Sequence, residues 1–197
     1  MQKISSNDRF NYAFEMVLYL ICGVSIVYFG LKGMNAKCFQ AGLIIAILLL
    51  FRGVNIWTKS ELPPLLRSSV LIFITITMLL ANLFNMYAVI PYLDKIEHFI
   101  SGIILFFVGQ FILNKIARAH EMDHLPIRMI IWFSFYFAAA MAGLWEIYEF
   151  TVDHLFGLKS QNGSLADTMM DMICGTLSAI ATALYLLNKA RIKKTDV

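Results

Sequence analysis

Six apolar runs, each close to 20 residues long, constrain the fold more than any other feature of this sequence. A helix of about 20 residues crosses the hydrocarbon core of a bilayer. The runs cover residues 13–31, 38–57, 67–90, 94–117, 127–152 and 165–188. They predict an all-α, polytopic transmembrane helix bundle, because a helix satisfies its own backbone hydrogen bonds in lipid.

The composition leaves little room for a soluble domain. Hydrophobic residues make up 59% of the chain and charged residues 15%, whereas a soluble domain has roughly 25% charged residues. We therefore expect residues 1–197 to form a single transmembrane domain whose partner is membrane lipid. The net charge of +3 is spread over short loops, so it does not indicate a nucleic-acid partner.

The basic residues predict the orientation of the bundle. Six spans place both termini on one side of the membrane, and Lys and Arg are enriched on the cytoplasmic side. With cytoplasmic termini, twelve of the 16 basic residues face the cytoplasm. The four on the outer side are Lys32, Lys37, Lys95 and Lys159. The sequence therefore predicts that both termini are cytoplasmic.

Six polar residues near the outer ends of the last three spans define the candidate site. Each span contributes two: Asp94 and His98, Glu146 and Glu149, and Asp167 and Asp171. Residues three or four apart share one face of a helix. Because spans 4 and 6 run inward and span 5 runs outward, all three pairs are expected at the same, extracytoplasmic, depth.

The chemistry of these side chains predicts a divalent metal site. Carboxylates at membrane depth are costly unless they are paired, protonated or metal-bound. Neighbouring carboxylates cannot all ionise without a cation or bound protons. Oxygen ligands with one His suit Mg²⁺, Mn²⁺, Ca²⁺, Fe²⁺ or, less readily, Zn²⁺. We expect the six residues to bind such an ion.

Polar residues close to this set are expected to support it. Asn82 and Asn85 on span 3 and Asp153 at the end of span 5 are predicted to hydrogen bond to the ligands. Lys95 and Glu97, by contrast, are predicted to point toward the lipid headgroups.

Other polar residues are predicted to be solvated or structural. Glu15 and Arg52 lie near the cytoplasmic ends of their spans, where snorkelling toward water is the expected behaviour. His120 and His124 have the spacing of metal ligands on a helix, but their polar loop indicates a solvated segment. Ser164 is a predicted N-cap of the sixth span.

Three stretches of the chain resemble the signature motifs of the YjdF-like family of bacterial inner-membrane proteins. The stretches are 92–102, 146–149 and 167–172, in matching order and spacing, and the resemblance covers residues 65–190. It implies a multi-pass inner-membrane protein whose shared polar positions are the six candidate ligands. Glu97 stands where the family pattern has a small residue, so it is left out of the site.

Three functions are compatible with such a site. The first is a metal-dependent enzyme acting on a lipid or lipid-linked substrate, in which the ion polarises a phosphoryl or carbonyl oxygen or activates water. His98 and Glu149 are the candidate general bases. The second is a transporter for a cation, a proton or a lipid anion, since intramembrane acids are typical of such pathways. The third is a structural or accessory subunit whose polar core fixes helix packing.

Cysteine-accessibility labelling in intact cells tests the orientation. Single cysteines are introduced at each terminus and between residues 159 and 163, in a background that lacks Cys22, Cys38 and Cys174. The basic-residue distribution predicts protected termini and a labelled 159–163 loop. The reverse labelling pattern would overturn both the orientation and the outward-facing site.

Overall fold

The fold is all-α, as the sequence predicts. A computed structural model describes residues 6–57, 62–122, 125–156 and 164–195. Within these ranges there is no strand, and six helices are long and apolar enough to cross a membrane. His124 and the 157–163 loop, which figure in the sequence predictions, lie outside the described residues.

The chain comprises two compact units, Met1–Leu93 and Asp94–Val197. The first unit contains α1 (Ser6–Leu31), α2 (Asn35–Trp57) and α3 (Pro64–Ile74). The second unit contains α4 (Leu93–Ala119), which starts at the boundary, α5 (Ile127–Phe156) and α6 (Leu165–Thr195). Each unit has its own apolar core.

The third span has an unusual helical geometry. Pro63 precedes α3 and Pro64 occupies its first turn, where a missing N–H group is tolerated. After Ile74 the helix widens into a π-helix, Thr75–Leu83. The Thr75 hydroxyl donates a 2.8 Å hydrogen bond to the carbonyl four residues earlier. A helix of this type is rare and usually short.

The predicted end of the third span at residue 90 is wrong, because the helix stops at Leu83. Asn85 has a left-handed backbone with φ of 61°, a conformation that Asn tolerates better than most residues. A short 3-10 turn, Met86–Ala88, follows, and Tyr92 has a φ of 59°. These reversals end the span well before α4.

Glu15 is fully buried in the first unit, which corrects the expectation of a solvated residue. Its Oε2 lies 2.7 Å from Nη2 of Arg67, and its Oε1 accepts a 3.2 Å hydrogen bond from the Tyr19 hydroxyl. Arg52 lies further away, with Nη1 3.7 Å from Oε1. A buried carboxylate is tolerated when a cation and hydrogen bonds compensate its desolvation, so this cluster joins α1, α2 and α3.

Small residues bring the helices of the second unit close together. A Cβ atom on Gly102 of α4 would overlap Oγ of Ser178 and the carbonyl oxygen of Gly175 on α6. A Cβ atom on Gly109 would lie 2.9 Å from Cβ of Phe137 on α5. Close approach at small residues is typical of helix packing in membranes. The three helices are therefore mutual neighbours, as the predicted site requires.

A hydrogen bond between Ser164 and Asp167 caps the start of α6. The backbone N–H of Asp167 donates to Oγ of Ser164 at 3.3 Å, which confirms the predicted N-cap. The helix accordingly begins at Leu165, and Asp167 lies in its first turn.

Replacing Gly102 by Ala should destabilise the second unit by about 1–3 kcal/mol, the usual range for overpacking. The added Cβ has no space between α4 and α6. Gly23→Ala is the matched control, because nothing lies within 4 Å of a Cβ at that position. Thermal unfolding in detergent, followed by circular dichroism, measures both variants. Equal midpoints would contradict the close contact at Gly102.

Candidate metal centre

The imidazole of His98 faces carboxylates from all three helices of the second unit. His98 is buried, at 8% exposure. Its Nε2 lies 3.6 Å from Oδ1 of Asp94, 3.7 Å from Oδ1 of Asp171 and 3.9 Å from Oε1 of Glu146. These separations are too long for direct N–H···O hydrogen bonds. They are within the range of separations between atoms that bind one common ion, which lies to one side of the line between any two of its ligands.

The nitrogen and oxygen atoms have the mutual spacing of metal ligands. One ligand atom from each of Asp94, His98 and Asp171 lies within 4.8 Å of the other two. Ligand atoms that are each about 2.0–2.6 Å from one ion are separated by roughly 2.8–5.2 Å. A donor set of two carboxylates and one imidazole suits Mn²⁺, Fe²⁺ or Zn²⁺ better than Ca²⁺.

The cluster is buried on one side and open on the other. Asp171 is 2% exposed and Glu146 is 4% exposed. The side chain of Asp94, in contrast, is 34% exposed. The cluster is therefore accessible from the side on which Asp94 lies.

Lys95 lies inside the acidic cluster, so the prediction that it points toward the headgroups is wrong. Its Nζ lies 2.5 Å from Oδ1 of Asp167 and 3.1 Å from Oδ2 of Asp94. It is also 2.7 Å from Oδ1 and 2.8 Å from Oδ2 of Asp171. The first turns of α4 and α6 are adjacent, and a partly desolvated carboxylate attracts an ammonium more strongly than the same carboxylate does in bulk water.

The sequence did contain a signal for the position of Lys95. It precedes His98 by three residues, and residues with this spacing share one face of a helix. Snorkelling is the usual behaviour of Lys at a membrane interface, but here the helical spacing determines where the side chain lies.

The other predicted ligands lie close to this centre without facing His98 directly. Asp167 is joined to the cluster through Lys95. Glu149 is half-buried, and its Oε1 accepts a 3.0 Å hydrogen bond from Nε1 of Trp145. Asp153 is half-buried one turn further along α5. A role for these residues in binding an ion stays a prediction.

The predicted supporting amides belong to the first unit. Oδ1 of Asn82 accepts a 2.7 Å hydrogen bond from Nε2 of Gln40 on α2. Asn85 lies in the left-handed turn after the π-helix. Their hydrogen bonding to the ligands stays a prediction.

Three further polar residues are Glu97, whose position differs from the prediction, and two exposed histidines, His154 and His120. Glu97 is buried at 5% exposure, so it does not extend into the headgroup region as predicted. His154 is exposed and its ring stacks on Phe150, with centroids 6.0 Å apart. His120 is also exposed, and its Nδ1 lies 2.9 Å from the carbonyl oxygen of Ile116.

Among the described residues at this end of the second unit, negative charge exceeds positive charge. Among the residues that the structure describes there, the ammonium of Lys95 contacts the carboxylates of Asp94, Asp167 and Asp171. A fourth carboxylate, that of Glu146, lies beside His98. One ammonium cannot neutralise four ionised carboxylates. Bound protons, a protonated His98 or a further cation must supply the remaining positive charge. The centre is therefore chemically equipped to attract a cation.

The fold and this centre define a polytopic helical membrane protein with a polar cluster built from three spans. Residues 14–191 match the sequence profile of a family described as "Predicted membrane protein (DUF2238)". The chain therefore belongs to the DUF2238 family of membrane proteins, which agrees with the YjdF-like resemblance and with a multi-pass membrane location.

The chain also has a relative of low sequence identity. The chain is 26% identical over 132 residues to a Thermotoga maritima protein described as "Uncharacterized protein", and the match covers 67% of each chain. No solved structure matches this chain.

Asp171→Asn should lower the thermal unfolding midpoint more than Asp167→Asn. Both carboxylates contact Lys95, but the Asp171 side chain is 3% exposed and that of Asp167 is 20% exposed. Removing one partner of a buried ion pair costs about 3–5 kcal/mol, and water compensates part of that loss at a more exposed site. Differential scanning calorimetry in detergent gives both midpoints. Equal shifts would contradict the difference in burial.

Proposed function

We propose that this membrane protein binds a divalent metal ion through Asp94, His98 and Asp171, with Glu146 as a fourth ligand. The observation that carries the proposal is the position of the His98 Nε2 atom. It is buried and faces three carboxylate oxygens, one from each helix, at 3.6–3.9 Å. An ion at the centre of these atoms would bind the imidazole and the carboxylates at once, and would supply the positive charge that Lys95 alone does not.

We further propose that the ion serves a metal-dependent reaction on a lipid or lipid-linked substrate. The ligands lie near the ends of apolar helices, and the exposed side of Asp94 provides access for a headgroup. An ion there would polarise a phosphoryl or carbonyl oxygen, or activate water. With His98 as a ligand, Glu149 becomes the better candidate general base, because its carboxylate is half-buried and one turn from Glu146.

Lys95 favours one alternative, in which the cluster is a structural network. Its ammonium contacts carboxylates on both α4 and α6. Such a network would fix the packing of these helices without any metal ion, as the third hypothesis from the sequence proposes. The two functions make opposite predictions for the metal content of the protein and for the effect of removing Lys95.

Metal content tests the proposal. Detergent-purified protein is incubated with Mn²⁺, separated from free ion and analysed by inductively coupled plasma mass spectrometry. We expect about one ion per chain in the unmodified protein and at least a tenfold loss in His98→Ala and Asp171→Asn, because each removes a ligand from a site with few others. His154→Ala is the matched control and should retain the ion, since His154 is exposed and stacks on Phe150.

Lys95→Gln separates the metal site from the structural network. If the ion is bound, the variant should retain it or bind it more tightly, because a competing positive charge has been removed. If the network is purely structural, the unmodified protein should contain no specifically bound ion, and Lys95→Gln should lower the unfolding midpoint strongly. The second result would refute the metal proposal and establish the alternative.

A further inference from the structure

The end of the second unit opposite the acidic cluster is basic. The end of α4, the start of α5 and the end of α6 lie there, since consecutive helices alternate in direction. These segments carry Lys115, Arg118, Arg128, Lys189 and Arg191. In the described part of the second unit, basic side chains therefore outnumber acidic ones at this end, where Glu121 is also found, and carboxylates outnumber the ammonium of Lys95 at the other.

A cavity of about 340 Å³ opens at this basic end, between α4, α5 and α6. Its lining residues are Gln110, Ile127, Ile131, Leu186, Lys189 and Ala190. Four of the six are apolar, and the remaining two contribute one amide and one ammonium. The volume falls at the lower end of the range of about 300–1,000 Å³ that is typical of small-molecule sites.

The arrangement of these groups along the helices suits an amphipathic ligand. Lys189 lies near the exposed end of α6, and its Nζ is 6.0 Å from the centre of the Tyr185 ring. Gln110 lies nine residues before the end of α4, or roughly 13 Å, whereas Lys189 lies six residues before the end of α6, or roughly 9 Å. The ligand therefore needs an anionic group near Lys189, a hydrogen-bond acceptor near the Gln110 amide and an apolar part against Ile131 and Leu186.

We propose that this cavity binds an anionic phospholipid. The phosphate would contact Lys189, an ester carbonyl would accept a hydrogen bond from Gln110, and an acyl chain would pack on the apolar wall. Basic pockets between transmembrane helices are a recurring way to bind such headgroups. The surrounding basic residues favour a lipid with net negative charge over a zwitterionic one. This site does not depend on the metal centre, which lies at the other end of the unit.

Native mass spectrometry of the full-length, detergent-purified protein tests the assignment. The protein is titrated with phosphatidylglycerol and, separately, with phosphatidylcholine of the same acyl chains. We expect one tightly retained phosphatidylglycerol and markedly weaker phosphatidylcholine binding. Lys189→Gln should weaken phosphatidylglycerol binding by about five- to tenfold, consistent with loss of a single cation near a lipid phosphate. Arg118→Gln removes the same charge at the same end, outside the cavity lining, and should change binding little.

A second variant tests the cavity itself while retaining its charge. Ala190→Trp fills the cavity and should abolish retention of phosphatidylglycerol, with helical content checked by circular dichroism. Three results would overturn the proposal: unchanged binding to Ala190→Trp, equal losses in Lys189→Gln and Arg118→Gln, or equal retention of the two lipids. Displacement of the lipid by millimolar inorganic phosphate would also overturn it, because a soluble anion would then be the ligand.

Discussion

Two carboxylates of the second unit are removed from water, and the free-energy cost of their desolvation must be compensated by neighbouring groups. Asp171 and Glu146 are almost wholly buried, and removing an ionised carboxylate from water costs several kcal/mol unless a cation and hydrogen bonds compensate. The close contact of α4 and α6 at Gly102 makes compensation possible, because it brings Lys95 and His98 of one helix within reach of Asp171 on the other. The ion-pair contacts of the cluster therefore depend on the close packing of α4 against α6 at Gly102.

The two units meet the same physical problem in different ways. In the first unit, one buried carboxylate, Glu15, is matched by the guanidinium of Arg67 at 2.7 Å and by the Tyr19 hydroxyl. This cluster has a planar cation that is always charged, which is typical of a structural ion pair. Among the described residues at the acidic end of the second unit, carboxylates outnumber the ammonium of Lys95, and a buried imidazole lies among them. Bound protons, a protonated His98 or a further cation, such as the proposed metal ion, would balance the remaining negative charge.

Periodicity and helix counting predicted much of this arrangement from the sequence. Spacings of three and four residues, with alternating span direction, placed Asp94, His98 and Asp171 at one depth, and the structure brings them together. The sequence did not predict contacts between residues that are far apart along the chain. Glu15 pairs with Arg67, which is 52 residues away, and no local pattern reveals that contact. The early end of the third span depends on the left-handed Asn85, a conformation that an apolar run does not indicate.

The most direct test of metal binding by Asp94, His98 and Asp171 is to locate the bound ion. Crystals of the protein grown with Mn²⁺, with diffraction data collected near the manganese absorption edge, would show where the ion lies. If the proposed ion is bound, we expect one anomalous peak about 2.0–2.6 Å from Nε2 of His98 and from carboxylate oxygens of Asp94 and Asp171. Well-ordered electron density for these side chains without such a peak, with Nζ of Lys95 still bonded to both oxygens of Asp171, would contradict it.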